Sequence, residues 1–141
     1  AEEKAALTKY LRAGGTLIVD AAGGSKAFAA SARKEILPLL DAAPPAPVAE
    51  KVLLGGPATL ERIAYRRDFA LILGPGANKH RLQGVKVGRR LAIVLSGDDL
   101  TAAMVGYPGY RIRGYTPDTA TAMMTNLLCH LAGVKTPDKK K

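Results

Sequence analysis

Hydrophobic and polar positions follow two different periods along this chain. In "AEEKAALTKYLRAGG" the apolar Ala6, Leu7, Tyr10 and Leu11 recur at helical spacing, with acids at the start and Gly14 and Gly15 at the end. That pattern predicts an amphipathic helix closed by glycine. The next run, "TLIVD", is continuously apolar and rich in β-branched residues, as in a strand buried on both faces of a parallel sheet. After a glycine turn, "SKAFAASARKEILPLL" places Phe28, Ala29, Ala32, Ile36 and Leu40 on one helical face. Ser25 is its expected N-cap, and Pro38 should kink the helix or end it early.

The proline-rich "DAAPPAPVAEK" has too few apolar anchors for an element of its own and is expected to be a connector. "ERIAYRRDFALILG" alternates and predicts one or two strands, followed by a loop at "GPGANKH". "RLQGVKVGRRLAIVLS" carries the strongest hairpin signal: two β-rich runs flank Gly88, and the second is again continuously apolar. Beyond it, Asp98 or Asp99 of "SGDDL" is placed to cap a short helical turn, and "GYPGYRIRGY" predicts a loop. "TPDTATAMMTNLLCHLAG" predicts a helix with Thr116 as N-cap, Pro117 in the first turn, Asp118 complementing the dipole and Gly133 closing it. Strands alternating with helices predict an α/β layered fold: a mostly parallel sheet flanked by helices, with a β-hairpin around 82–96.

The length of 141 residues and the 48% hydrophobic content suit one domain, expected over 1–134, with a basic flexible tail over 135–141. Such a chain buries roughly two-thirds of its surface without needing staples. The one cysteine, Cys129, forms no internal disulfide and sits in an apolar helical run, where a buried inert thiol is expected. The net charge of +9 is concentrated between Arg62 and Arg113 and in the terminal lysines. Nucleic-acid binding would want stacking aromatics or a recognition helix beside such charge. With five tyrosines, two phenylalanines and no RNA-binding signature, a solvated face or an acidic partner is favoured over nucleic acid. No run of 18 apolar residues is present to span a membrane.

Three segments, "KYLRAGGTLIVDAAGGS", "RLQGVKVGRRLAIVLSGDDL" and "GYTPDTATAMMTNLLCHLAG", resemble a bacterial family of unknown function, family 4159. That family in turn resembles the class I glutamine amidotransferase-like, flavodoxin-like superfamily. The resemblance implies a flavodoxin-like sheet. Because another strand and loop usually precede the first helix in that family, it also implies that this chain is the C-terminal portion of a longer domain or protein. It points to the cell envelope or an exported location, which nothing in the composition addresses.

The amidotransferase plan has a nucleophile elbow, G-x-C-x-G, after its strand. Overlaying "VDAAG" on that elbow puts Ala21 at the nucleophile, and alanine has no attacking atom. Cys129 is too far along the chain to substitute, and His80 and His130 read as a surface-loop residue and a helix-face residue. Catalytic residues, a metal and a cofactor are therefore not expected: no HxH, HExxH or paired-cysteine spacing occurs, and "GPGANKH" lacks the G-K-[ST] of a phosphate loop.

Two sets of residues remain as candidates. Asp20, Gly23, Gly24, Ser25, Ser96, Asp98 and Asp99 stand at strand ends, where open α/β sheets hold ligands, and a small polar ligand or a hydrolytic carboxylate pair built on Asp20 and Asp99 would use them. The competing reading is that they cap helices and shape turns. Tyr107, Tyr110, Arg111, Arg113 and Tyr115 form the Tyr and Arg set that interfaces favour, so a protein partner or self-association is the leading expectation.

Overall fold

The computed structural model describes residues 1–134, and the tail expected over 135–141 lies outside the described residues. Helix α1, Glu2–Arg12, leads into strand β1, Leu17–Asp20. A 3-10 turn at Ala22–Gly24 and helix α2, Lys26–Ile36, come next. Ser25 caps α2, its Oγ accepting the Phe28 N–H at 3.2 Å, and α2 ends two residues before Pro38 in a 3-10 turn. The hairpin forms as its pattern predicts, from β3 at Gln83–Val87 and β4 at Arg90–Ser96, with Gly88 at φ 61° in the turn. The last helix, α6, spans Pro117–Leu131.

Three expectations are corrected. The proline-rich connector holds a two-residue strand, β2 at Ala46–Pro47, and leads into a short helix, α3 at Glu50–Leu54. The segment expected to be one or two strands contains helix α4, Arg67–Leu73, and only Tyr65 there makes a bridge, to Tyr115. Phe69 and Leu73, four residues apart, both pack on the core from that helix, so period four outweighs the apparent alternation. The sheet is also mixed rather than mostly parallel. Its order is β1-β4-β3-β2, with β1 parallel to β4 and both other pairings antiparallel.

The sheet separates two apolar clusters, giving layers of helix, sheet and helix. On one side Leu11 of α1 and Leu40 pack against Ile93 and Leu95 of β4, with Leu17 and Val19 beside them. On the other, Met123 and Leu127 of α6, Val52 and Leu53 of α3, and Tyr65 and Tyr115 pack with Leu91 and Val94, and Ile18 joins them. Strict alternation would put Leu91 with Ile93. A bulge intervenes, since Val85 pairs with Ile93 while Lys86 pairs with Leu91, leaving Ala92 as the extra residue. That extra residue turns Leu91 to the same side as Val94. β4 is buried on both faces along nearly all its length, as its apolar run predicts.

Candidate ligand-binding crevice

β1 and β4 run parallel, so their carboxyl ends present Asp20 and the segment 96–99 to the same end of the sheet. The short helix α5, Thr101–Met104, starts there. Asp20 reaches across to it: Oδ1 accepts the Leu100 N–H at 3.1 Å, and Oδ2 accepts the Thr101 N–H at 2.8 Å and its hydroxyl at 2.5 Å. Asp99 is fully buried, with Oδ1 accepting from the N–H groups of Gly23 (2.8 Å) and Ala102 (3.1 Å) and Oδ2 from Ala103 N–H (3.0 Å). Its own backbone N–H donates to Arg113 O at 2.8 Å and its carbonyl accepts from Tyr115 N–H at 3.1 Å. Asp99 thereby ties the glycine turn, the loop after β4 and segment 113–115 into one junction. Side chains are squeezed out of it. A Cβ on Gly24 would stand 2.3 Å from Arg113 O, and one on Gly114 would stand 2.4 Å from Asp99 O.

The remaining strand-end residues are also engaged within the chain. Gly24 N–H donates to Ala21 O at 2.7 Å, and the Ser96 hydroxyl donates to Asp98 O at 2.5 Å. Ala21 is fully buried at φ −79°, and the left-handed backbone of this turn lies at Gly23 and Gly24. A side chain at Ala21 would point into packed protein rather than above the sheet.

Asp98 differs from its neighbours. It is 5% exposed, yet its buried Oδ2 has no hydrogen-bond partner. Arg81 Nε lies 3.5 Å away, within ion-pair reach but not in hydrogen-bonding geometry. Burial pushes the Asp98 carboxyl above the usual carboxylate range, and the Arg81 charge offsets part of that rise.

Asp98 faces two adjoining hollows of about 320 and 530 Å³, both also lined by Arg33, Arg81 and Gly97. Together they form a crevice between α2, the segment 79–83 that enters β3, and α4. Arg33 projects from α2 and its Nη2 donates to Gln83 Oε1 at 2.5 Å. Lys26 and Arg113 add positive charge to the larger hollow, and Phe69 and Ile72 give it an apolar wall. His80 borders the smaller one, with a buried Nδ1 that lacks a partner. Burial holds its imidazole below the usual value, against the opposing pull of Glu50 and the Val48 carbonyl. It lies in the loop that its sequence context suggests, half-buried in the crevice wall.

Of the candidate ligand residues, Asp98 lines both hollows and Gly24 the larger, whereas Asp20 and Asp99 turn toward backbone N–H groups. Sequence reasoning missed Arg33, His80 and Arg81. The concentration of basic residues in "NKHRLQG" was the available signal. Within the Tyr and Arg set, Tyr107 and Tyr110 are 60% and 80% exposed, and Arg111 is exposed at φ 64°. Tyr115 is corrected: it is fully buried on Tyr65 and cannot serve an interface. Cys129 is half-buried rather than buried.

Among the described residues, no group of three or more acidic, histidine or cysteine side chains is arranged to hold a metal ion. No helix among them is long and apolar enough to cross a membrane. An α/β domain with a mixed sheet and a polar crevice at its strand ends is the class these observations define. By sequence, the chain belongs to the family described as Domain of unknown function (DUF4159), which matches residues 1–131. No curated protein and no solved structure matches it.

Proposed function

We propose that this domain binds a small polar ligand in the crevice and does not itself transform it, on an amidotransferase-like, flavodoxin-like scaffold. One observation carries the reading: Asp98, whose buried Oδ2 has no hydrogen-bond partner, lines an open hollow beside Arg81 and Arg33. A buried acceptor left unsatisfied costs about 1–3 kcal/mol, and a ligand that donates to it recovers that cost. The two guanidiniums suit an anionic group on the same ligand. Non-catalytic binding is favoured because Asp20 and Asp99 are engaged by backbone donors and Ala21 is buried.

The test is a ligand-observed NMR screen of small polar anions against the wild-type chain and Gly97→Leu. A Cβ at Gly97 meets nothing within 4 Å, so the larger side chain fills the crevice without disturbing its charges. Hits that disappear in Gly97→Leu and weaken in Asp98→Asn support the reading. Hits indifferent to both would end it.

A second reading, protein interaction or self-association, draws on the exposed Tyr107 and Tyr110. Tyr110, Arg111 and Ile72 share a hollow of about 380 Å³ beside α4. Light scattering across a wide concentration range, repeated on Tyr107→Ser/Tyr110→Ser, tests self-association. A monomer throughout would remove that half of the reading.

A further inference from the structure

A separate hollow, of about 350 Å³, lies at the opposite edge of the sheet from β1, beside β2. Its floor is apolar: Val48, Val52 and Leu91, which belong to the larger core cluster, are met by Ala46 and Pro47 of the edge strand. The floor is thus the surface of the core itself. Its rim is cationic, with Lys51 from α3, Lys86 from β3 and Arg89 from the hairpin turn, and His130 from α6 stands beside them. No carboxylate lines it. None of those four side chains makes a hydrogen bond or ion pair among the described residues.

The two features together select a ligand. A cationic patch without an apolar floor would be satisfied by water, and an apolar floor without charge would take any greasy surface. An apolar body capped by one negative charge complements both. The volume equals that of about twelve waters in the liquid, enough for a medium-chain or aromatic acid. The three rim charges, Lys51, Lys86 and Arg89, come from three different parts of the chain and converge on one hollow, which favours an anion there.

We propose that this hollow binds a small apolar monocarboxylate. Its floor takes the hydrocarbon body and Lys51, Lys86 and Arg89 take the carboxylate. The site shares no residue with the Asp98 crevice except Pro47, so either can be wrong without the other.

The test titrates the full chain with octanoate, octylamine and 1-octanol by calorimetry at low and physiological salt. Octanoate is expected to bind at least about tenfold more tightly than octylamine, and to weaken as salt rises. Lys86→Glu/Arg89→Glu reverses two exposed charges that have no partners, so it should leave the urea midpoint unchanged and weaken octanoate by about tenfold or more. Gly97→Leu should leave octanoate binding intact. Octylamine binding as tightly as octanoate, no octanoate binding at millimolar concentration, or affinity that survives the double reversal would each overturn the proposal. So would octanoate binding abolished by Gly97→Leu, which would move it to the other crevice.

Discussion

Tyr115 stacks on Tyr65, with ring centroids 4.5 Å apart and planes at 26°, and the two hydroxyls meet 3.3 Å apart in the core. The Tyr65 hydroxyl donates to Lys79 O at 2.7 Å, so the proton between the two oxygens is that of Tyr115. The Tyr115 oxygen in turn accepts the Arg81 N–H at 2.9 Å. The pair therefore grips the chain on both sides of His80 and sets where Arg81 meets Asp98. Burial pushes the Tyr65 phenol up to about 12 and raises that of Tyr115 further, so both protons stay in place at neutral pH.

Tyr115→Phe removes the acceptor for Arg81 N–H and the bridging proton together. It should cost about 1–3 kcal/mol, and Tyr65→Phe, which frees the carbonyl of exposed Lys79 and leaves the buried Tyr115 proton without its acceptor, should cost a similar amount. Urea unfolding measures both. The double variant should be non-additive, because the two hydroxyls hydrogen-bond to each other. Hydrogen exchange at the Arg81 amide should accelerate in Tyr115→Phe, and unchanged exchange would show that the loop is held by something else.

The two adjacent turn glycines should respond unequally to alanine. Gly23 and Gly24 both have φ above 70°, but a Cβ on Gly23 meets nothing within 4 Å while one on Gly24 runs into Arg113. Gly23→Ala is expected to cost about 1 kcal/mol of backbone strain. Gly24→Ala should exceed about 2 kcal/mol because segment 113–115 must also shift. Equal losses in thermal unfolding would contradict the close approach.

Adjacent aspartates should behave oppositely. Asp99→Ala strips the acceptor from three backbone N–H groups in a fully buried position and should cost about 3 kcal/mol or more. Asp98→Asn, which removes a buried charge that lacks a hydrogen bond, should be neutral or stabilising at pH 7. The sign follows from linkage. The Asp98 pKa is raised on folding, so the native state binds its proton more readily than the unfolded chain. Its contribution is therefore greatest below the unfolded value of about 3.9 and is lost as pH rises through the folded value. Unfolding curves from pH 3 to 7 should show that component in the wild type and lack it in Asp98→Asn.

His80 contributes with the other sign. Its folded pKa is lowered, so the native state disfavours the proton that the unfolded chain accepts near pH 6.5. That contribution is complete above 6.5 and is lost as pH falls through the lower, folded value. His80→Gln should flatten the stability profile below pH 6.5. A profile as steep as the wild type there would assign the dependence to other groups.

A thiol placed at Ala21 tests the turn directly. In a Cys129→Ser background, Ala21→Cys should resist thiol reagents while folded and react on unfolding, since Ala21 is fully buried. Rapid labelling in the folded state would reopen the elbow reading.

The sequence made the hairpin, α6 and the central β4 legible because each carries a strong local signal: Gly88 between two β runs, Pro117 beside Thr116, and five apolar residues in a row. It misled at Arg67–Leu73, where the short helix takes its buried face from a core built largely of residues far along the chain, such as Tyr115, Met123 and Leu127. Mixed strand order was equally unreadable, since β1 and β4 pair across some 75 residues that local patterns do not link. Asp98 was legible as a strand-end acid. What distinguishes it from Asp99 is which of two neighbouring carboxylates finds backbone donors, and that depends on the turn at Gly23 and on α5 folding against it.

The two walls of the crevice are both fastened to Tyr115, whose N–H donates to Asp99 O at 3.1 Å and whose hydroxyl accepts the Arg81 N–H at 2.9 Å. Asp99 locks the loop beneath Asp98, and the tyrosine pair locks the segment that carries Arg81. Across the crevice itself, the side-chain contact between the two is the long Arg81–Asp98 ion pair. At 3.5 Å and without hydrogen-bonding geometry, that contact leaves the two side chains free to move apart or together. A guest that bridges the two sides would make itself known as stiffening, with the segment 79–83 becoming harder for a protease to cut while the rest of the chain keeps its usual resistance.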